Sequence, residues 1–417
     1  MSRYESILRY GRECIMQSLN EKINVIVEEI YDELVSLRHS IHENPELSNE
    51  EYKTAELVEK VLKAWKINYT RLPESMAIIA EIEGEREGGN SIGIRADMDA
   101  LPIDEQSGVE YASKTEGVMH ACGHDLHTVN LLGTGIVLSQ LKKHFAGTVK
   151  LVFQPAEEIG GGAQEILDFG VLKNPTVTAF LAAHVSEDVK VGQIQVKAEE
   201  VMLASSQFTI SLTGRGGHAS APHQTDDIIL AAAKIIIELQ SIPSRKINHI
   251  ELAVITVSSI HGGTRGNIIP KELVLVGTIR TQNNMLHQEI HGHIKNILKA
   301  QELITGVKGT VIYRLGSGAV YNDPALTQEF IAVAANIVGQ DNVLIAKVPS
   351  NGSENFYRFS KEVPSVFFRI GVNNDALARI EPAHSPKFQA ADEALKTGVV
   401  VTSAAALAFL QKERAAV

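Results

Sequence analysis

The sequence contains little of what marks several large classes of protein. Only two cysteines, Cys14 and Cys122, occur among 417 residues, which excludes a disulfide framework and favours a reducing compartment. No segment approaches the ~18 consecutive apolar residues that would predict a membrane span. The N-terminal segment also lacks an uninterrupted apolar stretch of signal-peptide length. We therefore expect a cytoplasmic protein with no membrane partner.

Basic residues are fewer than acidic ones. The chain has 39 Lys and Arg against 50 Asp and Glu, a formal net charge of −11. Nucleic-acid binding draws most of its affinity from clustered Lys and Arg, so we expect no nucleic-acid partner. Hydrophobic residues (44%) and charged residues (21%) stand in the usual proportions of a folded protein. Because single cores stop growing beyond roughly 250 to 300 residues, two domains are expected.

The order of predicted elements changes twice along the chain. Up to residue 199, short apolar strands alternate with helices, which is typical of a mainly parallel α/β sheet. One of these helices is predicted to open with a capping box formed by Ser48 and Glu51. Residues 200–311 follow the order β-α-β-β-α-β, which is typical of a ferredoxin-like antiparallel sheet with two helices. We predict an α/β catalytic domain over residues 1–199 and 312–417, with residues 200–311 inserted as a smaller α+β satellite domain.

Side chains that can hold a metal ion occur at four places. Residues 119–127, MHACGHDLH, contain one thiol, three imidazoles and one carboxylate. Glu157 and Glu158 follow a predicted parallel strand, at the end where α/β sheets place their ligand sites. His184 ends another predicted strand, and His384 lies in a late loop. Each place has a structural alternative when taken alone, as a helix cap, a solvated acidic turn or a lone structural histidine. Their convergence favours a metal site.

Six ordered motifs resemble the M20 metallopeptidase family. Within it, the chain is similar to the amidohydrolase branch of N-acyl-amino-acid amidohydrolases, aminoacylases and indoleacetyl-amino-acid hydrolases. The motifs are RADMDALP, MHACGHDLH, FQPAEE, AAHV, GRGGHASAPH and AHSPKF. The resemblance covers nearly all of the chain from about Leu37 onward, and it leaves the first thirty or so residues, with Cys14, unassigned.

The resemblance implies a site for two divalent metal ions, which in this family are Zn, Mn, Co or Ni. The implied ligands are Cys122, His124, Glu158, His184 and His384. Glu157 is implied to be the general base that takes a proton from the attacking water and delivers it to the departing amine. Extended backbone points successive side chains in opposite directions, so one of two adjacent glutamates can bind a metal while the other faces the water.

Residues 97–99, Asp-Met-Asp, stand where the wider family has a His-x-Asp motif that supplies a ligand. The histidine is missing here, which fits a branch that uses Cys122 and His124 instead. We expect Asp97 or Asp99 to orient a ligating imidazole. The remaining polar side chains of residues 119–127 are expected to support the site rather than bind metal: His120, Asp125 and His127.

The inserted domain contains further candidates. His218 lies in a glycine-rich loop, where a surface histidine is the ordinary interpretation. The resemblance implies instead that it donates to the oxyanion of the tetrahedral intermediate, often in the active site of a partner subunit. By the same resemblance, Asn267 and Arg280 stand where relatives bind the carboxylate or amide of the substrate. Asn355 replaces an aspartate common in the family, and we expect this change to affect side-chain specificity rather than hydrolysis.

We expect a metal-dependent enzyme that hydrolyses the amide bond of N-acyl amino acids to a carboxylic acid and a free amino acid. A dipeptidase or carboxypeptidase acting on dipeptides by the same chemistry is the first alternative. The second is a catalytically silent relative that serves as a binding or scaffold protein. The role of His218 predicts a homodimer or higher homo-oligomer through the satellite domain, although the apolar helix there would also fit packing on its own sheet.

Overall fold

The computed structural model describes residues 3–374 and 381–411. Side chains are described from Gln17 onward, residue 315 excepted, so the side chain of Cys14 lies outside the described part. The helices are α1 (Arg3–Glu43), α2 (Tyr52–Ala64), α3 (His124–Gln140), α4 (Ala163–Phe169), α5 (Ile228–Arg245), α6 (Asn284–Thr305), α7 (Pro324–Val338), α8 (Tyr357–Glu362) and α9 (Ala394–Leu410). None of these described helices is long and apolar enough to cross a bilayer.

The strands vary in length from two to fourteen residues. They are β1 (Asn68–Arg71), β2 (Ile78–Glu83), β3 (Arg86–Asp97), β4 (Ala146–Gln154), β5 (Val177–Lys190), β6 (Ile194–Val196), β7 (Glu199–Met202), β8 (Ala204–Thr213), β9 (Gly217–His218), β10 (Ala253–Gly262), β11 (Ile268–Ile269), β12 (Glu272–Thr281), β13 (Lys308–Leu315), β14 (Val320–Asn322), β15 (Val343–Ile345) and β16 (Ser365–Asn373).

The chain forms two compact units. The first takes in the chain up to Glu199, Tyr321–Val348 and the chain from Arg358 onward, and the second takes in Glu200–Val320 and Pro349–Tyr357. The second unit therefore runs beyond the expected boundary at residue 311. The reason is that β13 pairs with β8 from Lys308 to Leu315, so the whole strand belongs to the sheet of the second unit.

The first unit is built on an eight-stranded sheet with the order β1-β2-β4-β3-β5-β16-β6-β15. Its centre, β4-β3-β5-β16, is parallel, whereas β1, β2 and the β16–β6 pair are antiparallel. Helices α3 and α9 pack side by side on one face, and α1 packs on both of them. On the other face, Phe180 of β5 stacks on Phe359 of α8 with ring centroids 4.8 Å apart. The expected mainly parallel α/β architecture is confirmed.

The second unit contains a four-stranded antiparallel sheet with the order β10-β12-β8-β13. Helices α5 and α6 pack against each other and against strands of this sheet. Asp227 and Asn283 begin these helices, each accepting a hydrogen bond from a backbone N–H three residues on. The chain order of strands and helices gives the expected ferredoxin-like architecture.

The predicted capping box at the start of α2 is wrong. The helix begins at Tyr52, and neither Ser48 nor Glu51 makes a capping hydrogen bond with its side chain. Glu46 accepts instead, from the backbone N–H of Lys53 (3.0 Å) and of Thr54 (2.9 Å). The two expected capping side chains are directed to other parts of the first unit, because buried polar groups there need hydrogen-bond partners.

Candidate metal centre

Cys122 and His124 are set by a sharp turn at the start of α3. Gly123 between them has a left-handed backbone (φ 78°), and a Cβ added there would lie 2.6 Å from Cγ2 of Val185. Only glycine meets both conditions without strain or collision. The turn leaves Sγ of Cys122 3.5 Å from Nε2 of His184 in β5.

The structure brings the five predicted ligands together near the carboxyl ends of parallel strands. Four groups of side chains have ligand atoms within 4.8 Å of one another; one is Asp97, His124 and His127, and the other three consist of predicted ligands and Glu157. These three are Cys122, His124 and His184; Cys122, Glu158 and His384; and His124, Glu157 and Glu158. Any two of these groups share one residue, so the three form a single continuous cluster. Such a cluster has enough donors for two neighbouring ions.

His384 reaches the cluster from the loop before α9. Its backbone N–H donates to the carbonyl oxygen of Ala121 (2.8 Å), and the N–H of Ala383 donates to Glu187 (3.0 Å). Nε2 of His384 lies 3.4 Å from Oε1 of Glu158, and its side chain is 54% exposed. The backbone has φ 68°, a left-handed value that is uncommon outside glycine. His384 is thus the solvent-facing member of the cluster.

The spacing and the donor types fit divalent metal ions. Two donors bound to one tetrahedral ion at about 2.1 Å lie about 3.4 Å apart. The observed separations include 3.5 Å from Cys122 to His184 and 3.8 Å from Nε2 of His124 to Oε1 of Glu158. These last two atoms are buried and make no hydrogen bond with another described residue. Buried polar atoms rarely remain unpaired, and an ion would give both a partner.

Hydrogen bonds fix which imidazole nitrogen faces the cluster. Nδ1 of His124 donates to Oδ1 of Asp99 (3.3 Å), and Nδ1 of His184 donates to the carbonyl oxygen of Val185 (2.8 Å). In the neutral form of each ring Nε2 is then the nitrogen without a proton, with a lone pair available for an ion. Asp99 therefore has the contact expected of a residue that orients a ligating imidazole.

Asp97 contacts different partners. Its carboxylate accepts from Nδ1 of His127 (2.5 Å) and from Nη1 of Arg95 (2.7 Å). Nε2 of His127 in turn accepts from the backbone N–H of Val185 (2.8 Å). Both nitrogens of His127 are thus engaged, which leaves no lone pair for a metal. The pair Asp97–His127 thus supports β5 at Val185, next to His184.

Burial and charge shift the pKa values of the cluster in different directions. Burial raises the pKa of the Cys122 thiol above its usual range, and burial together with the neighbouring His127 lowers the pKa of His184. Burial alone would lower the pKa of His124, but Asp97 and Cys122 raise it well above the ordinary value. Ligands must be deprotonated to bind, so metal binding here is coupled to proton release.

Asp125 and His120 lie behind the cluster. Asp125 is buried and accepts from Nε of Arg38 and from Nδ1 of His42, both at 3.0 Å. His120 is 1% exposed and makes no hydrogen bond with another described residue, and burial lowers its pKa to about 4. The contacts of Asp125, like those of His127, agree with a supporting role.

Sequence reasoning missed Arg38 and His42, which connect α1 to Asp125 in the first turn of α3. Both are buried on the same side of α1 as Leu34 and Ile41. Charged or titratable residues at helical spacing inside an apolar stripe are the signal that could have found them, because such groups are buried only with a partner. Their partner, Asp125, is adjacent to His124 in the chain.

Three predicted site residues belong to the second unit. His218 of β9 is exposed, and its Nδ1 accepts from the backbone N–H of Ser220 (3.2 Å), so in the neutral ring Nε2 carries the proton and can donate. Asn267 lies beside it, since its carbonyl oxygen accepts from the N–H of Ala219 (3.1 Å). Arg280 lies on β12, with Nη1 buried and making no hydrogen bond with another described residue. Asn355 is also in this unit and is buried.

Comparison with known proteins agrees with these features. The chain matches the model of peptidase family M20/M25/M40 over residues 93–408. It is 35% identical over 403 residues to thermostable carboxypeptidase 2 of Saccharolobus solfataricus, covering 94% of this chain and 100% of that protein. It is 36% identical over 363 residues to N-acetylcysteine deacetylase of Bacillus subtilis, covering 87% of this chain and 93% of that protein.

The solved structures include a similar protein that is described as metal binding. The YXEP protein of Bacillus subtilis, a dinuclear metal binding peptidase from the M20 family, superposes with a TM-score of 0.79 and 32% identity. The similarity covers 92% of this chain and 99% of that one. The family model, the relatives and the solved structure all match this chain over most of its length. The chain therefore belongs to peptidase family M20/M25/M40 and is a metal-dependent hydrolase.

Proposed function

We propose that the protein hydrolyses the amide bond of N-acyl amino acids to a carboxylic acid and a free amino acid. The observation that carries the proposal is the position of Glu157, whose carboxylate lies within 4.8 Å of ligand atoms of His124 and Glu158. A base at that place can reach a water held between the substrate and the ligand cluster. The relative named N-acetylcysteine deacetylase supports an acylated amino acid as substrate.

The five clustered side chains would hold two divalent ions, with Zn, Mn, Co and Ni as candidates. The donors are Cys122, His124, Glu158, His184 and His384. When bound, the ions polarise the scissile carbonyl and lower the pKa of a water toward neutrality. Asp99 keeps Nε2 of His124 directed at the cluster through its contact with Nδ1.

In the proposed mechanism Glu157 moves the proton. Its carboxylate takes a proton from the water as the water oxygen forms a bond to the carbonyl carbon. The same carboxyl group then gives that proton to the amide nitrogen as the carbon–nitrogen bond breaks, so the amine departs neutral. His218 would donate from Nε2–H to the developing oxyanion, and Asn267 and Arg280 would hold the carboxylate or amide of the substrate.

Substitution of the base tests the proposed function. Glu157→Gln keeps the size and removes the basic oxygen, so we expect kcat for N-acetyl amino acids to fall by at least ~100-fold. Metal content, measured by mass spectrometry of the elements, should remain that of the wild type. Glu116→Gln, at an exposed carboxylate, is the matched control. A Glu157→Gln enzyme with wild-type kcat and full metal would show that another group is the base.

A carboxypeptidase or dipeptidase activity is the second candidate, favoured by the similarity to thermostable carboxypeptidase 2. The two activities differ only in whether the acyl group carries an amine. Comparison of kcat/KM on N-acetyl, N-aromatic-acyl and dipeptide substrates, each with Mn, Co and Zn, separates them. A higher kcat/KM on dipeptides with every metal would replace the first proposal by the second.

We propose a homodimer formed through the second unit. Support comes from exposed apolar side chains on α5 and on β10, which is an edge strand of the four-stranded sheet. Examples are Ile229, Ile237 and Val254, which are 51%, 68% and 47% exposed. Sedimentation should give twice the monomer mass at assay concentration. A fully active monomer would remove both the dimer and a role for His218 across subunits.

A further inference from the structure

The turn that carries Glu157 has an unusual backbone. Ala156, just before it, adopts φ 58°, a left-handed value that costs free energy for any residue with a Cβ. Such conformations persist only where surrounding contacts impose them. The contacts here are made by three consecutive backbone N–H groups, of Ala156, Glu157 and Glu158, and we call residues 156–158 the base turn.

Two carboxylates accept from the base turn. The N–H of Ala156 donates to Oε1 of Glu51 at 2.8 Å. The N–H groups of Glu157 and Glu158 donate to the two oxygens of Asp99, both at 3.0 Å. In the proposed reaction Glu157 is the base and Glu158 is a metal ligand. The backbone geometry of the base turn sets the direction in which each of these two side chains points.

Glu51 has no other evident role. It is 0% exposed, it does not cap α2, and its Oε2 makes no hydrogen bond with another described residue. Burial raises the pKa of its carboxyl group to about 7. Its contact with the base turn is made by one acceptor oxygen, Oε1, which lies within hydrogen-bond reach of the Ala156 N–H.

The segment that carries Glu51 is itself anchored. The carbonyl oxygen of Glu46 accepts from the N–H of Ala100 (2.8 Å), and Leu47 forms a parallel bridge with Ala100. Ser48 donates to Oδ2 of Asp99 (2.6 Å), the same carboxylate that holds Glu157 and Glu158. Residues 46–51 thus act on the base turn by two routes, one direct through Glu51 and one through Asp99.

We propose that Glu51 is a positioning residue that fixes the base turn, with Ser48 assisting through Asp99. What the turn does in catalysis rests on the proposed function, but the contact itself does not. Loss of the contact leaves the Ala156 N–H without its partner and lets the turn relax from its left-handed conformation. Displacement of a catalytic group by about 1 Å can lower kcat ~100-fold.

Two substitutions distinguish the effect of the length of the Glu51 side chain from the effect of its charge. Glu51→Gln keeps the length and an acceptor oxygen but cannot be ionised. Glu51→Asp keeps the carboxyl group and is one methylene too short to reach Ala156. Glu50→Gln, at the exposed neighbouring residue, is the matched control. All three are conservative changes, and circular dichroism verifies that each variant folds.

Amide hydrogen exchange on the protein without added metal reports the contact directly. For a peptide covering residues 154–162, we expect Glu51→Asp to exchange at least ~10-fold faster than the wild type, with Glu51→Gln and Glu50→Gln close to it. With Mn or Zn bound, kcat should fall at least ~10-fold in Glu51→Asp at nearly unchanged KM, and Glu51→Gln should retain most of kcat.

The reverse order would overturn the proposal. If Glu51→Asp stays protected and active while Glu51→Gln does not, the carboxyl group acts by charge and not by reach. Unchanged exchange in both variants would show that Glu51 does not hold the turn. A wild type without activity on any N-acyl amino acid would refute the proposed function, whereas the exchange measurement would still decide the role of Glu51.

Discussion

At the scale of single residues, Cys122 is the most unusual member of the cluster. A thiol buried among polar groups has a raised pKa, which opposes metal binding until the ion itself displaces the proton. Its Sγ belongs to two of the three groups that form the cluster. Cys122 therefore belongs both to the group with His124 and His184 and to the group with Glu158 and His384, and its loss should affect both groups.

We predict that Cys122→Ser lowers the affinity for Mn and Zn at least ~10-fold, because a hydroxyl group is a poorer donor than a thiolate. Equilibrium dialysis with elemental analysis measures the bound metal. Cys14→Ser, at the other cysteine of the chain, is the control and should bind as the wild type does. Equal affinity in both variants would remove Cys122 from the ligand set.

The candidate ligands were predictable from sequence because most of them lie in short contiguous motifs. Residues 119–127 and 153–158 each contain several side chains that can bind metal or act as a base. Such side chains at close spacing can be recognised in the sequence without knowledge of the fold. Glu51 was not predictable as a site residue, since its partner Ala156 lies 105 positions away. The apolar stripe of α1 could have marked Arg38 as buried, but not its partner Asp125, which lies 87 positions away. Only the folded chain shows that Ser48 and Glu51 serve the base turn and not α2.

At the scale of elements, the contact of α1 with α3 depends on a buried ion pair. Nε of Arg38 lies 3.0 Å from Oδ2 of Asp125, and both side chains are 1% exposed. Nη1 of Arg38 also lies 2.5 Å from Asp392, which precedes α9. One guanidinium thus connects α1, α3 and the segment just before α9. Arg38 and Asp125 are buried, so little water is available to replace their contact.

We predict that Arg38→Met destabilises the protein by about 3 kcal/mol, because it leaves the Asp125 carboxylate buried with one partner fewer. Urea denaturation measures the change in the free energy of unfolding. Lys114→Met, which breaks an exposed pair with Glu43 at the end of α1, should cost less than ~1 kcal/mol. Equal losses in the two variants would contradict the importance of the buried pair.

His42 makes the contact between α1 and α3 dependent on pH, because it also binds Asp125. Burial alone would lower its pKa, but Asp125 and Glu105 raise it to about 9. The titratable or charged groups around it are Asp125, Glu105, Arg38, Tyr111 and His120. A raised pKa means that the folded protein keeps a proton that the unfolded chain loses near pH 6.5, so this stabilisation is complete below pH 6.5 and is lost as the pH rises toward 9.

The expected decrease in the free energy of unfolding between pH 6.5 and 9 is at most roughly 3 kcal/mol. Denaturation series at several pH values compare the wild type with His42→Asn, which does not titrate in this range. The difference between the two curves should shrink as the pH rises. A constant difference would mean that His42 is neutral in the folded protein.

Element order predicted both sheets correctly, while exact ends depended on pairing. The alternation of strands and helices is visible in the apolar pattern, and so is the β-α-β-β-α-β order. The sequence pattern does not show that the first segment of the second unit ends at Val320. The pairing of β13 with β8 extends to Leu315, and periodicity in the sequence does not show where such a pairing stops.

At the scale of the whole molecule, the ligands come from distant parts of the first unit, so metal binding should stabilise that unit as a whole. A ligand that binds only the folded state at 100 times its Kd stabilises it by about 2.7 kcal/mol. We predict that Mn or Zn at that concentration raises the Tm of the wild type by roughly 5 °C. Differential scanning calorimetry measures it, and the same rise in Cys122→Ser would contradict the proposed coordination.

The contact of Arg38 with Asp392 also has a consequence for biosynthesis. It joins positions 354 residues apart, and β16 must insert between β5 and β6 before the parallel sheet is complete. Contacts so distant in the chain form slowly and cannot form while the later residues are still unmade. During translation, therefore, the thiol and imidazoles of residues 119–127 exist before β5, β16 and α9 have been made, and the first unit closes only after these later elements are present.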